Sequence, residues 1–253
     1  MSVPTLHIDG HVATIELQRP DKRNRIEPDD LVELLSLFDQ IVAADDVRVV
    51  VLTARGPSFC AGFHLGALTE GVRSPVSFGE MCDRLARLPM PTIARIEGNI
   101  HGGGTDLALS CDFRIAAEHI ELLMPAARFG LQYYATGLQR FVARIGPAAT
   151  KKLFLTALPA DTATLLRVGY LDEVVSDAEV GTRVDELVAA ILRLGPEAVA
   201  RTKAAIDGLA DGSMDVAAVD ESARASMRSD EHREGLRALA EKRTPHFGPS
   251  TLR

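Results

Sequence analysis

The residues best equipped for chemistry lie in the stretch Gly98-Asn99-Ile100-His101-Gly102-Gly103-Gly104-Thr105-Asp106. The apolar run Pro91 to Ile96 precedes it and reads as a buried strand. Leu107 to Leu109 follow and continue a helix that begins near Thr105. Three consecutive glycines fit poorly in any regular element. They suit a place where backbone passes close to a ligand, or where amide N–H groups must point freely. A helix start adds unpaired amides and a positive dipole end at the same spot. That combination suits an anion or a developing oxyanion. A tight packing turn between strand and helix is the alternative reading.

A second loop, Ala54 to Gly66, follows another buried apolar run, Val47 to Leu52. Sheet proteins often place sites in such loops. Cys60 sits there among small and apolar neighbours with no evident partner, so it reads as inert filler rather than a nucleophile. His64 is the more interesting polar group, as a base or as a surface or hinge histidine. The basic run Lys22-Arg23-Asn24-Arg25 reads as a loop that meets phosphates or is solvated surface.

The elements that must position these loops are legible in outline. Leu6 to Asp9 and His11 to Leu17 flank Asp9-Gly10 as a hairpin. Pro28-Asp29-Asp30 opens a helix whose apolar face is Leu31, Leu34, Leu35, Phe38, Ile41 and Val42. A nearly continuous apolar strand after a helix implies a layered α/β arrangement. Leu65 to Pro75 reads as a mobile loop, a candidate lid, and Phe78 to Leu88 as a helix. Phe113 to Ala117 is a further strand. Tyr133 and Tyr134 beside Gly137 read as core, interface or pocket rings. Helices are expected over Leu138–Ile145 and Ala148–Phe154, broken at Gly146-Pro147. A short strand is expected over Leu171 to Val175. From Val180 onward the chain reads as four successive helices.

At 253 residues the chain can bury a sizeable core, and its 46% hydrophobic and 25% charged residues are an ordinary globular mix. A net charge of -7 without Lys/Arg clustering argues against nucleic-acid partners. Three scattered cysteines, Cys60, Cys82 and Cys111, form no disulfide or metal framework and fit a reducing cytoplasm. No signal peptide and no membrane span are expected.

With these residues in view, the chain resembles the enoyl-CoA hydratase/isomerase family, the crotonases. The resemblance rests on an ordered set of motifs: Leu17 to Asn24, Val50 to Ala54, Ser58-Phe59-Cys60-Ala61-Gly62-Phe63-His64-Leu65, Gly98 to Ala108, Gly169 to Val175 and Glu234 to Arg243. It implies a crotonase-like α/β spiral of ββα units with a helical C-terminal region. The expected division is a core of residues 1–195 and a trimerisation region of residues 196–253. It implies an acyl-CoA thioester as substrate or ligand with no separate cofactor or metal, and homotrimers or dimers of trimers.

By the motif match, the amides of Ala61 and Gly103 hold the thioester oxygen. Hydratases of the family use two carboxylates around one water. The first maps to Asp106, where glutamate is usual, and the second to Ala126, which cannot transfer a proton. Aspartate retracts the carboxylate by about 1.5 Å, which matters for a base that must reach its proton. Tyr134 occupies the position of the aspartate nucleophile of aromatic dehalogenases, so that reaction is not implied. His64 and His101 border the two loops. Lys22 and Arg23, with Lys242 from the last helix, are the expected contacts to CoA phosphates.

Overall fold

The computed structural model describes residues 3–69, 71–72 and 74–248. Strands β1 (Thr5–Asp9) and β2 (Val12–Leu17) form the expected hairpin, with Asp9 opposite Val12 and Gly10 at φ +53° in the turn. Along β2 every second residue is buried: Ala13, Ile15 and Leu17. Helix α1 (Pro28–Ala43) starts with proline and a reciprocal cap between Glu27 and Asp30. Its buried stripe includes Leu31, Leu34, Phe38 and Ile41.

Three two-strand units follow. The first is β3 (Val49–Ala54) and β4 (Ser58–Cys60), followed by α2 (Leu65–Thr69) and α3 (Phe78–Ala86). The second is β5 (Thr92–Ile96), β6 (Asn99–His101) and α4 (Gly103–Leu109). The third is β7 (Phe113–Ala117), β8 (Glu121–Leu123), a 3-10 turn over Ala126–Phe129 and α5 (Ala135–Thr156). Gly146 (φ +73°) interrupts α5 at the expected break. Then come β9 (Ala160–Asp161), α6 (Thr162–Arg167), β10 (Glu173–Val175) and α7 (Val180–Leu192). Helices α8 (Pro196–Asp211), α9 (Val216–Ser226) and α10 (Asp230–Glu241) end the chain.

The first strand of each unit joins one sheet and the second strand joins another. The large sheet runs β1-β2-β3-β5-β7-β10 and is parallel except for the hairpin. Its central strands are buried nearly end to end, as expected for a sheet covered on both faces. The small sheet runs β4-β6-β8-β9, with its first three strands parallel. This is the crotonase-like α/β fold. Because β4, β6 and β8 run in the same direction side by side, their C-terminal ends present three neighbouring loops. Those loops begin at Ala61, Gly102 and Met124, and sites commonly form at such strand ends.

Several expectations are corrected. The helix expected to begin near Thr105 begins at Gly103, with Gly102 (φ +53°) as its cap. Ser58–Cys60, read as part of a loop, is a strand, and Asn99–His101, between the expected strand and helix, is another. Leu65–Thr69, read as part of a mobile lid, is a short helix, while residues 70 and 73 of that segment lie outside the described residues. Among the described residues no helix is long and apolar enough to cross a membrane.

The last three helices bury little. Helix α9 has no buried residue, and α8 and α10 bury only Ala200, Gly208 and Ala238. Ile206, Val216, Met227, Leu236 and Leu239 are exposed. Two polar ties hold α8. Glu231 accepts the Glu197 and Ala198 amides at 2.8 and 2.9 Å, and Lys203 Nζ donates to Asp112 Oδ2 at 2.7 Å.

Candidate active site

The loop before α1 sets the position of the loop after β4. Arg23 and Asn24 both adopt left-handed φ of +53°, which side-chain-bearing residues seldom take. Asn24 is buried, and its side chain holds the turn. Nδ2 donates to Arg55 O at 2.8 Å and to Ser58 O at 2.7 Å, while Oδ1 accepts the Arg19 amide at 2.8 Å. This directs the Arg23 carbonyl at the next loop, where it accepts the Ala61 N–H at 2.9 Å. The Ala61 amide is therefore committed inside the protein, which corrects its expected role as an oxyanion donor.

The Phe63 amide, two residues on, is placed differently. Ile26 N–H donates to Gly62 O at 2.8 Å, and His64 N–H donates to Ile26 O at 2.9 Å. This one-residue bridge leaves the N–H of Phe63 facing away from Ile26. Gly103 is the first residue of α4, so its N–H has no intrahelical acceptor. Among the described residues neither amide has a hydrogen-bond partner.

The two loops are pressed together. A methyl group on Gly62 (φ +84°) would lie 2.4 Å from Gly103 N, and one on Gly103 would lie 3.4 Å from Phe63 N. One on Gly104 would meet Cys60 O at 2.4 Å. Glycine at these positions permits the contact between the two backbones. The Phe78 ring stands over Gly103 and meets Phe63 edge-on, with ring centroids 6.2 Å apart. The loops thus offer two convergent donors beside aromatic carbon, an arrangement that can hold a carbonyl oxygen as it gains charge.

Asp106 is fully buried one turn along α4. Arg140 grips its carboxylate with both ends of the guanidinium fork, Nε to Oδ1 at 2.9 Å and Nη2 to Oδ2 at 3.0 Å. The Tyr134 hydroxyl donates to the same carboxylate, and the Tyr133 hydroxyl does so at 3.3 Å. Arg140 also pairs with Asp83. Burial opposes the Arg140 charge, but the hydrogen bonds and attraction of Asp106 outweigh it and raise the guanidinium pKa. Burial and the nearby carboxylate push both phenol pKa values up, so both hydroxyls stay protonated as donors. Gly137 makes room for this cluster: a methyl there would lie 2.7 Å from Asp106 Oδ2 and 2.5 Å from the Tyr133 ring. The arrangement makes Asp106 the anchor of one arginine and two phenols. Ala126, the first residue of the 3-10 turn after β8, is buried and brings only a methyl group.

His64 Nδ1 lies 2.6 Å from Glu27 Oε2, and Arg25 Nε donates to Glu27 Oε1 at 2.6 Å. Burial pushes the Glu27 pKa up, but the hydrogen bonds from Arg25 and His64 outweigh it and hold the carboxyl below its ordinary range. His101 is half-buried at the end of β6. Desolvation disfavours its charged form and Arg23 adds to this, against the opposing pull of Glu121. Cys60 is fully buried, and its sulfur accepts the Gly62 N–H at 3.3 Å. Burial raises its thiol pKa to about 12, which makes it inert as expected. Among the described residues no cluster of metal-ligand type occurs.

The structure brings Gly103 and Asp106 together on one helix, and places Arg23 against the Ala61 loop through its carbonyl. Lys22 and Arg23 are exposed at the rim of that loop. Lys242 is exposed in the left-handed cap of α10 (φ +53°). Sequence reasoning did not connect Phe63, Arg140 and Glu27 to the site. Their partners lie far away in the chain and no local spacing signals them.

The family model described as enoyl-CoA hydratase/isomerase matches residues 7–250 of the chain. The chain is 32% identical over 247 residues to enoyl-CoA isomerase/hydratase fer4 of Mycosarcoma maydis, covering 91% of this chain and 90% of that protein. It is 29% identical over 246 residues to the short-chain-enoyl-CoA hydratase of Clostridium acetobutylicum, covering 94% of each. Among solved structures, the enoyl-CoA hydratase from Bacillus anthracis superposes with a TM-score of 0.87 at 29% identity, covering 98% of this chain and 99% of that one.

Proposed function

Because the chain belongs to the enoyl-CoA hydratase/isomerase family, we propose that it binds an enoyl- or acyl-CoA thioester and catalyses a hydratase/isomerase-type reaction through an enolate-like state. The observation that carries this reading is the pair of amides, Phe63 and Gly103, that have no partner among the described residues and are held side by side by glycine contacts. Negative charge on a thioester oxygen needs donors that are already aimed at one point, because reorienting them during the reaction would cost part of the gain.

The role of Asp106 in this reading is to orient. Its ion pair with Arg140 fixes the Tyr133 and Tyr134 hydroxyls. The Tyr134 ring packs against Gly79, the neighbour of Phe78, so the anchored phenols border the aromatic carbon over Gly103. Lys22 and Arg23, with Lys242, meet the CoA phosphates by charge-assisted contacts. The exposed apolar residues of α8 to α10 are covered in a homotrimer or a dimer of trimers, which sedimentation at assay concentration would reveal. Three buried reduced thiols suit a cytoplasmic setting.

A second reading is a non-catalytic acyl-CoA-binding protein. It is favoured by Ala126, where a proton-transferring group would be needed for two-carboxylate hydration. Turnover over a panel of CoA esters, with binding measured in parallel, separates the two. Turnover of any enoyl-CoA supports the enzyme. Tight binding with no turnover across the panel supports the binding protein, and absence of binding sinks both.

A further inference from the structure

We propose that His64, oriented by Glu27, is the group that takes and returns the proton at the acyl carbon beside the thioester carbonyl. This assignment rests on the acyl-CoA reading above and names its missing proton carrier. Two nearby groups are poorly suited. Ala126 has no titratable atom, and the Asp106 carboxylate is fully buried with both oxygens engaged by Arg140 and the two phenols.

His64 has the opposite character. It follows Phe63 directly, so its Cα lies about 3.8 Å from that of the residue whose amide is free. Its side chain is mostly covered but keeps 20% exposure, where that of Asp106 has none. Nδ1 faces the Glu27 carboxylate at 2.6 Å, and this selects the tautomer with the proton on Nδ1 and the lone pair on Nε2. Glu27 is itself fixed by Arg25 and by its place at the start of α1. A carboxylate that orients an imidazole and balances its charge when it protonates is a recurring arrangement for a general base.

Nε2 is also left clear. Among the described residues it has no hydrogen-bond partner. Gly66 lies beside it, and a methyl on Gly66 would stand 2.8 Å from Nε2. Gly66 does not adopt positive φ, so its backbone conformation does not call for glycine. Within α2 glycine is an unfavourable helix residue. What it gains there is space at Nε2. His101, the other histidine bordering the loops, has no carboxylate hydrogen-bonded to its ring among the described residues.

The step balances within these groups. The Nε2 lone pair takes the proton from the α-carbon, and the C–H electron pair moves toward the carbonyl oxygen to give an enolate. The Phe63 and Gly103 amides hold that oxygen, while Glu27 faces the imidazolium. Return of the proton, or of a deuteron from solvent, to carbon regenerates neutral His64.

Butyryl-CoA in D2O tests this without assuming a particular net reaction, because exchange of its α-protons needs only binding, the two amides and a base. Exchange is read by mass spectrometry and affinity by calorimetry. The parent is expected to exchange. H64Q should exchange on the order of 10²–10⁴-fold more slowly at nearly unchanged affinity, and G66A should slow exchange in the same sense. Added imidazole should restore part of the rate in H64A, a readout that repair of a merely structural defect would not give. E27Q should lower the rate at unchanged affinity, and E27D should recover part of it. Parent-like exchange in H64Q, or a parent that binds butyryl-CoA without exchange, overturns the assignment and leaves the binding reading standing. A parent that binds no acyl-CoA overturns that reading, and this one with it.

Discussion

Replacing Asp106 with asparagine should destabilise the protein before any question of catalysis arises. In the parent, one fully buried carboxylate balances Arg140, whose side chain is 17% exposed, and accepts from two phenols. Asparagine keeps the size but not the charge, and its amide nitrogen turns a donor toward groups that are themselves donors. Removing one partner of a buried ion pair costs about 3–5 kcal/mol, because the other charge stays buried. Asp83 still faces Arg140 and is itself 22% exposed, so the lower end of that range applies. At about 2–4 °C per kcal/mol for a chain of this size, a loss near 3 kcal/mol is a fall in Tm of roughly 6–12 °C. Thermal unfolding by circular dichroism measures it. The double variant D106N/R140M removes both charges while the asparagine oxygen still accepts from the phenols, and should melt above D106N. Turnover in D106N should fall much more than acyl-CoA affinity, since the amide pair and the rim cations remain. A D106N protein that melts within about 2 °C of the parent, well short of the fall expected from the ion-pair cost, would refute the reasoning. So would a double variant less stable than the single one.

Three further outcomes follow from the same geometry. G62A should disrupt the amide pair, because its methyl would lie 2.4 Å from Gly103 N at a left-handed φ; loss of one such donor lowers turnover on the order of 10²–10³-fold, and parent-like kinetics would count against the arrangement. Cys60 and Cys111 are buried with thiol pKa values pushed up to about 12, so a thiol reagent at pH 8 should label them only on unfolding, and rapid labelling of the native protein would contradict their burial. Glu234 accepts from Arg243 at 2.6 and 3.0 Å and from the His246 amide at 2.9 Å, which depresses its pKa to about 2. Its folded pKa lies below the unfolded value, so the tether is fully stabilising above about pH 4.3. It is lost as pH falls through about 2. Protection of the His246 amide should therefore persist at about pH 4, and a Glu234 carboxyl that titrates near the ordinary value would refute the tether.

Much of the frame was legible because long elements carry their own periodicity. The apolar stripe of α1, the buried runs of β3, β5 and β7, and the four C-terminal helices could each be read from one window. The small sheet could not. Its strands β4, β6 and β8 have three residues each, too few to show alternation. Yet these strands align the loops. The motif resemblance points to Ala61 and Gly103 as donors, whereas the Ala61 amide is spent on Arg23 and the Phe63 amide, two residues on, is the one proposed here. Which amide is free depends on where the Arg23 carbonyl and both backbone groups of Ile26 are spent. Those are tertiary hydrogen bonds that residue types do not encode locally. The polar pairs that define the site are equally remote: Arg140 meets Asp106 across 34 positions and His64 meets Glu27 across 37. Asp106 stands out in the sequence, but its neighbours Arg140, Tyr133 and Tyr134 determine what it can do.

The central claim is that the Phe63 and Gly103 amides together polarise a thioester carbonyl, and the carbonyl itself reports on it. An enoyl-CoA carrying a 13C-labelled thioester carbon, bound to the protein, can be followed by difference infrared spectroscopy. Two aimed donors weaken the C=O bond, so the account predicts a clear shift of the carbonyl band to lower frequency on binding, reduced in G62A. A bound ligand whose carbonyl band stays at its solution frequency would contradict it.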